Sequence, residues 1–225
     1  MPADRSPLRT RLDALRPEKA APKPRGAREV RSAARREAIL SAALEEFSAG
    51  GFAATRLEDV ARRAGVAKGT IYLYFADKET LFQELARSLL SPVVGNIERL
   101  RAADIPFRIL ADQIVDMFVR DVIETRRKDI LRLIIAEGGR FPKLAEFYYR
   151  EVLSRIMAAL QDVLQRAFDR GEIRHEALAR FPQLLAAPGL LAVIWSGLFE
   201  RFAPLDVRAL LRAHIDIILD ERTVP

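Results

Sequence analysis

From Arg28 onward no stretch of the chain alternates apolar with polar residues as a half-buried strand would, and no Asn-Gly or Asp-Gly pair offers a tight hairpin. Apolar side chains recur instead three and four positions apart. Ile39, Leu40, Ala43, Leu44 and Phe47 form one stripe, which Gly50-Gly51 ends. Phe107, Leu110, Ile114, Phe118 and Val122 form another, and Leu153, Ile156, Leu160, Val163 and Leu164 a third, closed by Gly171 as a helix C-cap. This period buries one face of a helix and cannot sit still as a strand, so the expected fold is all-α, with about nine helices.

Charge divides the chain unevenly. Residues 1–36 hold eleven Lys/Arg against four Asp/Glu, while the whole chain of 225 residues carries a net +6, so everything beyond residue 36 is close to neutral. Residues 1–27 also contain five prolines and read as a basic, Pro/Arg-rich flexible arm. Such an arm suits either a solubilising tail or contact with a polyanion. Cysteine is absent and only His175 and His214 are present, which removes disulfides, thiolate catalysis and histidine-rich metal sites. P-loop and G-x-S-x-G patterns are lacking, so no catalytic residues, metal or cofactor are expected and an enzyme is disfavoured. The first ten residues have no apolar run of the secretory kind, and a cytoplasmic location is expected. Phe181 to Phe199 is nineteen residues without a charge, but its Pro188-Gly189 pair and polar residues favour a buried interface helix over a membrane span.

The segment LEDVARRAGVAKGTIYLYFA, residues 57–76, carries the chemistry. Two helices crossing over a short turn need a small residue at their contact, which Ala61 supplies, and a turn residue tolerant of positive φ, which Gly65 supplies four positions later. Val60, Ala64, Val66, Ile71 and Tyr74 are apolar or aromatic where the pair must share a core. Thr55-Arg56-Leu57-Glu58 fits a capping box for the first of the two helices. These offsets define a helix-turn-helix whose second helix, from about Lys68, would enter the major groove. Lys68 and Thr70 are then placed for bases or phosphates, and the Tyr72 hydroxyl for a phosphate. Gly69 either lets the backbone approach the duplex or relaxes a tight turn. Tyr74 suits the core by its ring and a phosphate by its hydroxyl. Lys78, in the first turn of the next helix, and the hydroxyl of Thr55 complete the expected DNA-facing set.

These residues resemble the N-terminal domain of the TetR-type (tetracycline-repressor-like) transcriptional regulators. The resemblance lies in the G-F-x-x-T entry from Gly51 to Thr55, the A-x-x-A-G-V core from Ala61, K-G-T-I-Y-x-Y-F from Lys68 and D-K-E-x-L-F from Asp77. Ala67 departs from the pattern, because many members place a serine there as the helix N-cap. The implied organisation is a helix-turn-helix DNA-binding domain over 28–76 and a larger helical ligand-binding and dimerisation domain over 77–225.

The resemblance further implies a homodimer joined through its last two helices, a near-palindromic operator in double-stranded DNA, and a small-molecule inducer. Leu190, Ile194, Trp195, Leu198, Phe202, Leu211, Ile215 and Ile218 are the candidate dimer contacts. Met117, Phe118, Phe147, Tyr148, Met157 and Trp195 are the candidates to line a ligand cavity, and their character favours an apolar or aromatic inducer. The alternative is a ligand-independent or architectural DNA-binding protein, for which the basic arm would be the main feature.

Overall fold

The computed structural model describes residues 25–219, and residues 1–24 of the basic arm lie outside them. The chain divides into two units, Met1–Glu37 and Ala38–Pro225. Only the opening turns of α1 (Arg25–Ala54) represent the first, and the second holds the rest of that helix and every later element.

Every described element is helical. After α1 come α2 (Leu57–Arg63), α3 (Lys68–Tyr72), α4 (Lys78–Arg101) and α5 (Phe107–Phe118), which runs on through a π-turn at Val119–Ile123. Next are α6 (Arg127–Glu137), α7 (Pro142–Tyr148), a second π-turn at Tyr149–Leu153 and α8 (Ser154–Asp169) in the same rod. The last are α9 (Glu176–Arg180), α10 (Gln183–Leu198) and α11 (Val207–Leu219). Among the described residues no strand occurs, and no helix is long and apolar enough to cross a membrane.

Two helix ends follow the local chemistry closely. The Asp77 side chain accepts from the Thr80 N–H at 2.7 Å and starts α4. Gly171, with φ 71°, ends α8 while Glu172 N–H donates to Ala167 O at 2.9 Å. The first helix is interrupted where the glycine pair stands: Gly51 takes φ 75°, ψ 170°, and only a short helical turn to Ala54 follows the kink.

One apolar core runs from α1 through the helix-turn-helix into α4, α6 and α7. Phe47, Phe52 and Phe82 meet pairwise with ring centroids 5.6 Å apart, and Phe141 packs edge-on to Phe52 at 4.8 Å. The expected boundary at residue 76 falls at the start of α4, yet packing is continuous across it. A second core joins α5, α8, α9, α10 and α11. Pro92 stands inside α4 and has no N–H to give. The helix is held from outside nearby, because Arg127 donates its Nε–H to Leu89 O at 2.6 Å and a second N–H to Asp121 O at 2.9 Å. Arg127 thereby ties the start of α6 to α4. Arg126 also reaches Glu45 of α1 at 2.5 Å and Asp129 at 2.6 Å.

Candidate nucleic-acid interface

The turn between α2 and α3 is built as its spacing requires. Gly65 takes φ 66°, and Val66 N–H donates back to Ala61 O at 3.0 Å. Ala61, Val60 and Ile71 are buried where the two helices touch, and Phe75 anchors the far end of α3. The buried row Ile71–Phe75 fixes which residues look outward. Lys68, Gly69, Tyr72 and Leu73 are exposed, while Thr70 and Tyr74 are half-buried, Tyr74 against the core. A Cβ placed on Gly69 would meet no atom within 4 Å, so the missing side chain leaves open space rather than relieving a clash.

Lys68 Nζ lies 2.5 Å from Glu58 Oε1 of α2. Hydrogen bonding to that carboxylate raises the lysine above its ordinary pKa, and the same bond lowers Glu58. Both groups are solvent-exposed, so this pair adds little to stability and stays available to exchange for a phosphate. Ala67 is the N-cap of α3 with extended backbone and no side-chain cap. The serine absent here leaves the first N–H groups of α3 without that acceptor.

Two residues expected on the DNA side are committed within the chain. Thr55 is buried and does not cap α2, whose N-cap is Arg56 with no side-chain bond. Its hydroxyl turns back to the end of α1, 2.8 Å from Gly51 O and 3.1 Å from Glu46 O. The physical reason is that α1 ends in carbonyls lacking helical partners, and a buried hydroxyl must find an acceptor. Lys78 does the same on a larger scale. Its Nζ donates to Phe52 O at 2.7 Å and to Ala53 O and Thr55 O at 3.0 Å each, over the Phe52 ring at 4.7 Å. Burial pushes its ammonium below the ordinary lysine value, with Glu137 pulling the other way. All three donors are used, so Lys78 is a clasp on the end of α1 rather than a free cation.

Two further residues that spacing did not single out, Leu73 and Arg56, are exposed beside this face. Leu73 is 82% exposed. Its place four residues after Gly69 was the available signal. Arg56 is exposed at the start of α2.

The six candidate cavity residues do not converge on one space. Phe147 and Tyr148 belong to the core beside the helix-turn-helix, and burial pushes the Tyr148 phenol up to about 12. Met117 packs with Ile97 of α4 and Ala159 of α8, whereas Phe118 and Met157 pack against the second core. Trp195 is half-buried, donates to Ala203 O at 2.7 Å and meets Phe199 edge-on. Their helical spacing reflects packing into separate cores. A hollow of about 550 Å³ lies elsewhere, open and lined by Glu98, Arg101, Asp104, Arg166 and Arg170 among others.

The candidate dimer contacts also divide. Leu190, Leu198 and Phe202 are exposed, and Ile194 and Trp195 half-buried. Leu211 and Ile215 are buried inside the chain's own second core, with Ile218 packed against it. The face of α11 that looked like an interface in the sequence is the face it turns to its own α5 and α10.

A tight two-helix unit with an exposed second helix, set on a larger helical body, defines a helix-turn-helix DNA-binding regulator. A family model for "Bacterial regulatory proteins, tetR family" matches residues 39–85, and one for "Tetracyclin repressor-like, C-terminal domain" matches 111–213. The chain is 30% identical over 134 residues to YhgD of Bacillus subtilis, an uncharacterized HTH-type transcriptional regulator, covering 57% of this chain and 68% of that one. It is 36% identical over 121 residues to the HTH-type transcriptional regulator RutR of Escherichia coli, over 54% of this chain. The match spans about half the length of RutR, 49%, and the same share of YvdT of Bacillus subtilis. Among solved structures, a TetR-family regulator from Mesorhizobium loti superposes with a TM-score of 0.66 at 26% identity, over 84% of this chain and 96% of that one. FadR of Bacillus subtilis, solved with stearoyl-CoA, shares the fold with a TM-score of 0.66 at 20% identity, over 82% and 97% of the two chains. The chain belongs to the TetR family of transcriptional regulators, and its relatives are regulators rather than enzymes.

Proposed function

We propose that this chain is a ligand-responsive repressor that binds a near-palindromic operator as a homodimer and is released by an apolar or aromatic inducer. The observation that carries the reading is the outward face of α3, where Lys68, Gly69, Thr70 and Tyr72 stand over a buried Ile71–Phe75 anchor. Tyr72 and Lys68 take phosphates, Gly69 admits the backbone of the duplex, and Arg56 supplies a further cation from α2. Thr55, Tyr74 and Lys78 hold this face in place. The division at residue 76 is then one of function rather than of packing.

For the dimer, α10 supplies the support. Leu184, Leu191 and Leu198 recur every seven residues and are all exposed, with Ile194 between them and Ile217 exposed on α11. A contiguous apolar stripe of this kind marks an interaction surface, and the seven-residue period is that of helices packing at a shallow angle. Leu190 and Phe202 are exposed as well.

For the ligand, the reading rests on Met117, packed with Ile97 of α4 and Ala159 of α8, and on Phe118 and Met157 against the second core. Phe118 abuts Gly189 of α10, where an added Cβ would lie 3.2 Å from its ring, so displacing Phe118 would reach the proposed dimer helix. FadR's partner, stearoyl-CoA, carries a long acyl chain, in keeping with an apolar occupant.

The test is a titration of fatty acyl and aromatic compounds against the full chain bound to its selected duplex. Release by one class supports an inducer and should be blunted by Met117→Trp. If nothing releases the duplex, the ligand-independent DNA-binding reading takes its place.

A further inference from the structure

The outward surface of α3 divides into two rows, each running four residues along the helix. Lys68 and Tyr72 form one, and it is polar: an ammonium and a phenol close enough to interact electrostatically. Gly69 and Leu73 form the other, and it has no hydrogen-bonding side chain at all. Leu73 keeps helical backbone angles (φ −73°, ψ −22°), so the four-residue alignment with Gly69 holds through the end of the helix. The helix is five residues long. Five residues of helix rise about 7.5 Å, so both rows fit within the major groove.

Leu73 is 82% exposed, while its neighbours Ile71 and Phe75 are at 0% and 1%. The fold makes no use of its side chain. In front of it, toward the start of α3, Gly69 offers open space. A duplex brought close by the glycine would therefore meet the leucine as the first side chain of that row.

Base edges in the major groove present donors, acceptors and one apolar group, the C5-methyl of thymine. A leucine satisfies none of the donors or acceptors, and covering one would leave it unpaired. We propose that Leu73 is a specificity-determining residue that reads thymine by its methyl group, fixing one A·T pair in each half of the operator. The proposal rests on α3 being the helix that enters the groove. The other methyls here belong to Thr70, which is half-buried, and to Ala67, exposed at the N-cap; both lie outside the apolar row.

The test uses the full chain and the duplex it enriches from random sequence. Each thymine is replaced in turn by deoxyuridine, which removes the methyl and keeps every hydrogen-bonding group. The wild-type protein is expected to lose about fourfold in affinity at one thymine per half-site, the worth of one buried methyl. Leu73→Ala, whose thermal stability should match the wild type because the side chain is exposed, is expected to bind the thymine and uracil duplexes equally there. Thr70→Ser should keep the uracil effect. The proposal is overturned if the wild type is indifferent to uracil at every position, if Leu73→Ala retains the full effect, or if Thr70→Ser abolishes it. Should no sequence be enriched, the DNA reading itself falls and this one with it. Enrichment without methyl sensitivity removes only the role of Leu73.

Discussion

Lys78 shows how far a single side chain can differ from its reading in sequence. A lysine in the first turn of a helix opposes the helix dipole, which makes a phosphate an attractive explanation. Its ammonium instead satisfies Phe52 O, Ala53 O and Thr55 O. Lys78→Ala should then cost about 1–3 kcal/mol in urea unfolding, because carbonyls at the end of α1 lose their donor. The salt dependence of DNA binding should keep its slope; a drop of about one unit would instead give Lys78 a phosphate. The signal that misled is general: sequence reports charge and position along a helix, but not where another helix leaves its last carbonyls. Ala67 predicts the opposite sign. Its backbone already has N-cap angles (φ −65°, ψ 146°), so Ala67→Ser should stabilise the fold by about 1 kcal/mol. Asp77 is the filled counterpart. Hydrogen bonds from Thr80 hold its carboxyl below the ordinary value of 3.8. That group stabilises the folded state fully above pH 3.8 and loses the contribution as pH falls through its lower folded pKa. Stability curves of wild type and Asp77→Asn should accordingly converge in acid.

At the scale of the element, α3 is legible because its constraints are local. Ala61, Gly65 and Ile71 sit at offsets set by two helices and one turn, and the structure uses all three as the spacing asks. What was not legible is the apolar outward row, because an apolar residue in a helical period reads as core by default. Gly69 makes the strongest prediction here. It is helical and its surroundings are open, so Gly69→Ala should raise stability by about 1 kcal/mol while weakening DNA binding. Thermal unfolding and binding anisotropy on the same sample would show the two effects with opposite signs. A gain in stability with unchanged binding would remove the glycine from the interface. Gly65 differs: at φ 66° any Cβ is strained, and Gly65→Ala should lose about 1–2 kcal/mol despite having room.

Over the whole molecule, the all-α architecture was readable from periodicity, but the partition of apolar faces between the chain's own core and a partner was not. Leu211 and Ile215 recur on α11 as an interface would, yet they are buried within the chain, and the exposed stripe lies on α10. Period tells which residues share a face and is silent on what covers it. Leu198→Glu should therefore separate the proposed dimer with little effect on the protomer, seen as halved mass in sedimentation. Ile215→Ala should instead lower stability by about 2–5 kcal/mol. If Leu198→Glu leaves the mass unchanged, the α10 stripe is not the dimer contact. The central claim, that two copies of α3 read DNA together, is tested most directly by selecting bound duplexes from random sequence with the purified full chain. The account predicts an inverted repeat whose half-sites are about 10 base pairs apart or a multiple of that, lost with Leu198→Glu. Enrichment of a single unrepeated site, or of no sequence at all, would contradict it.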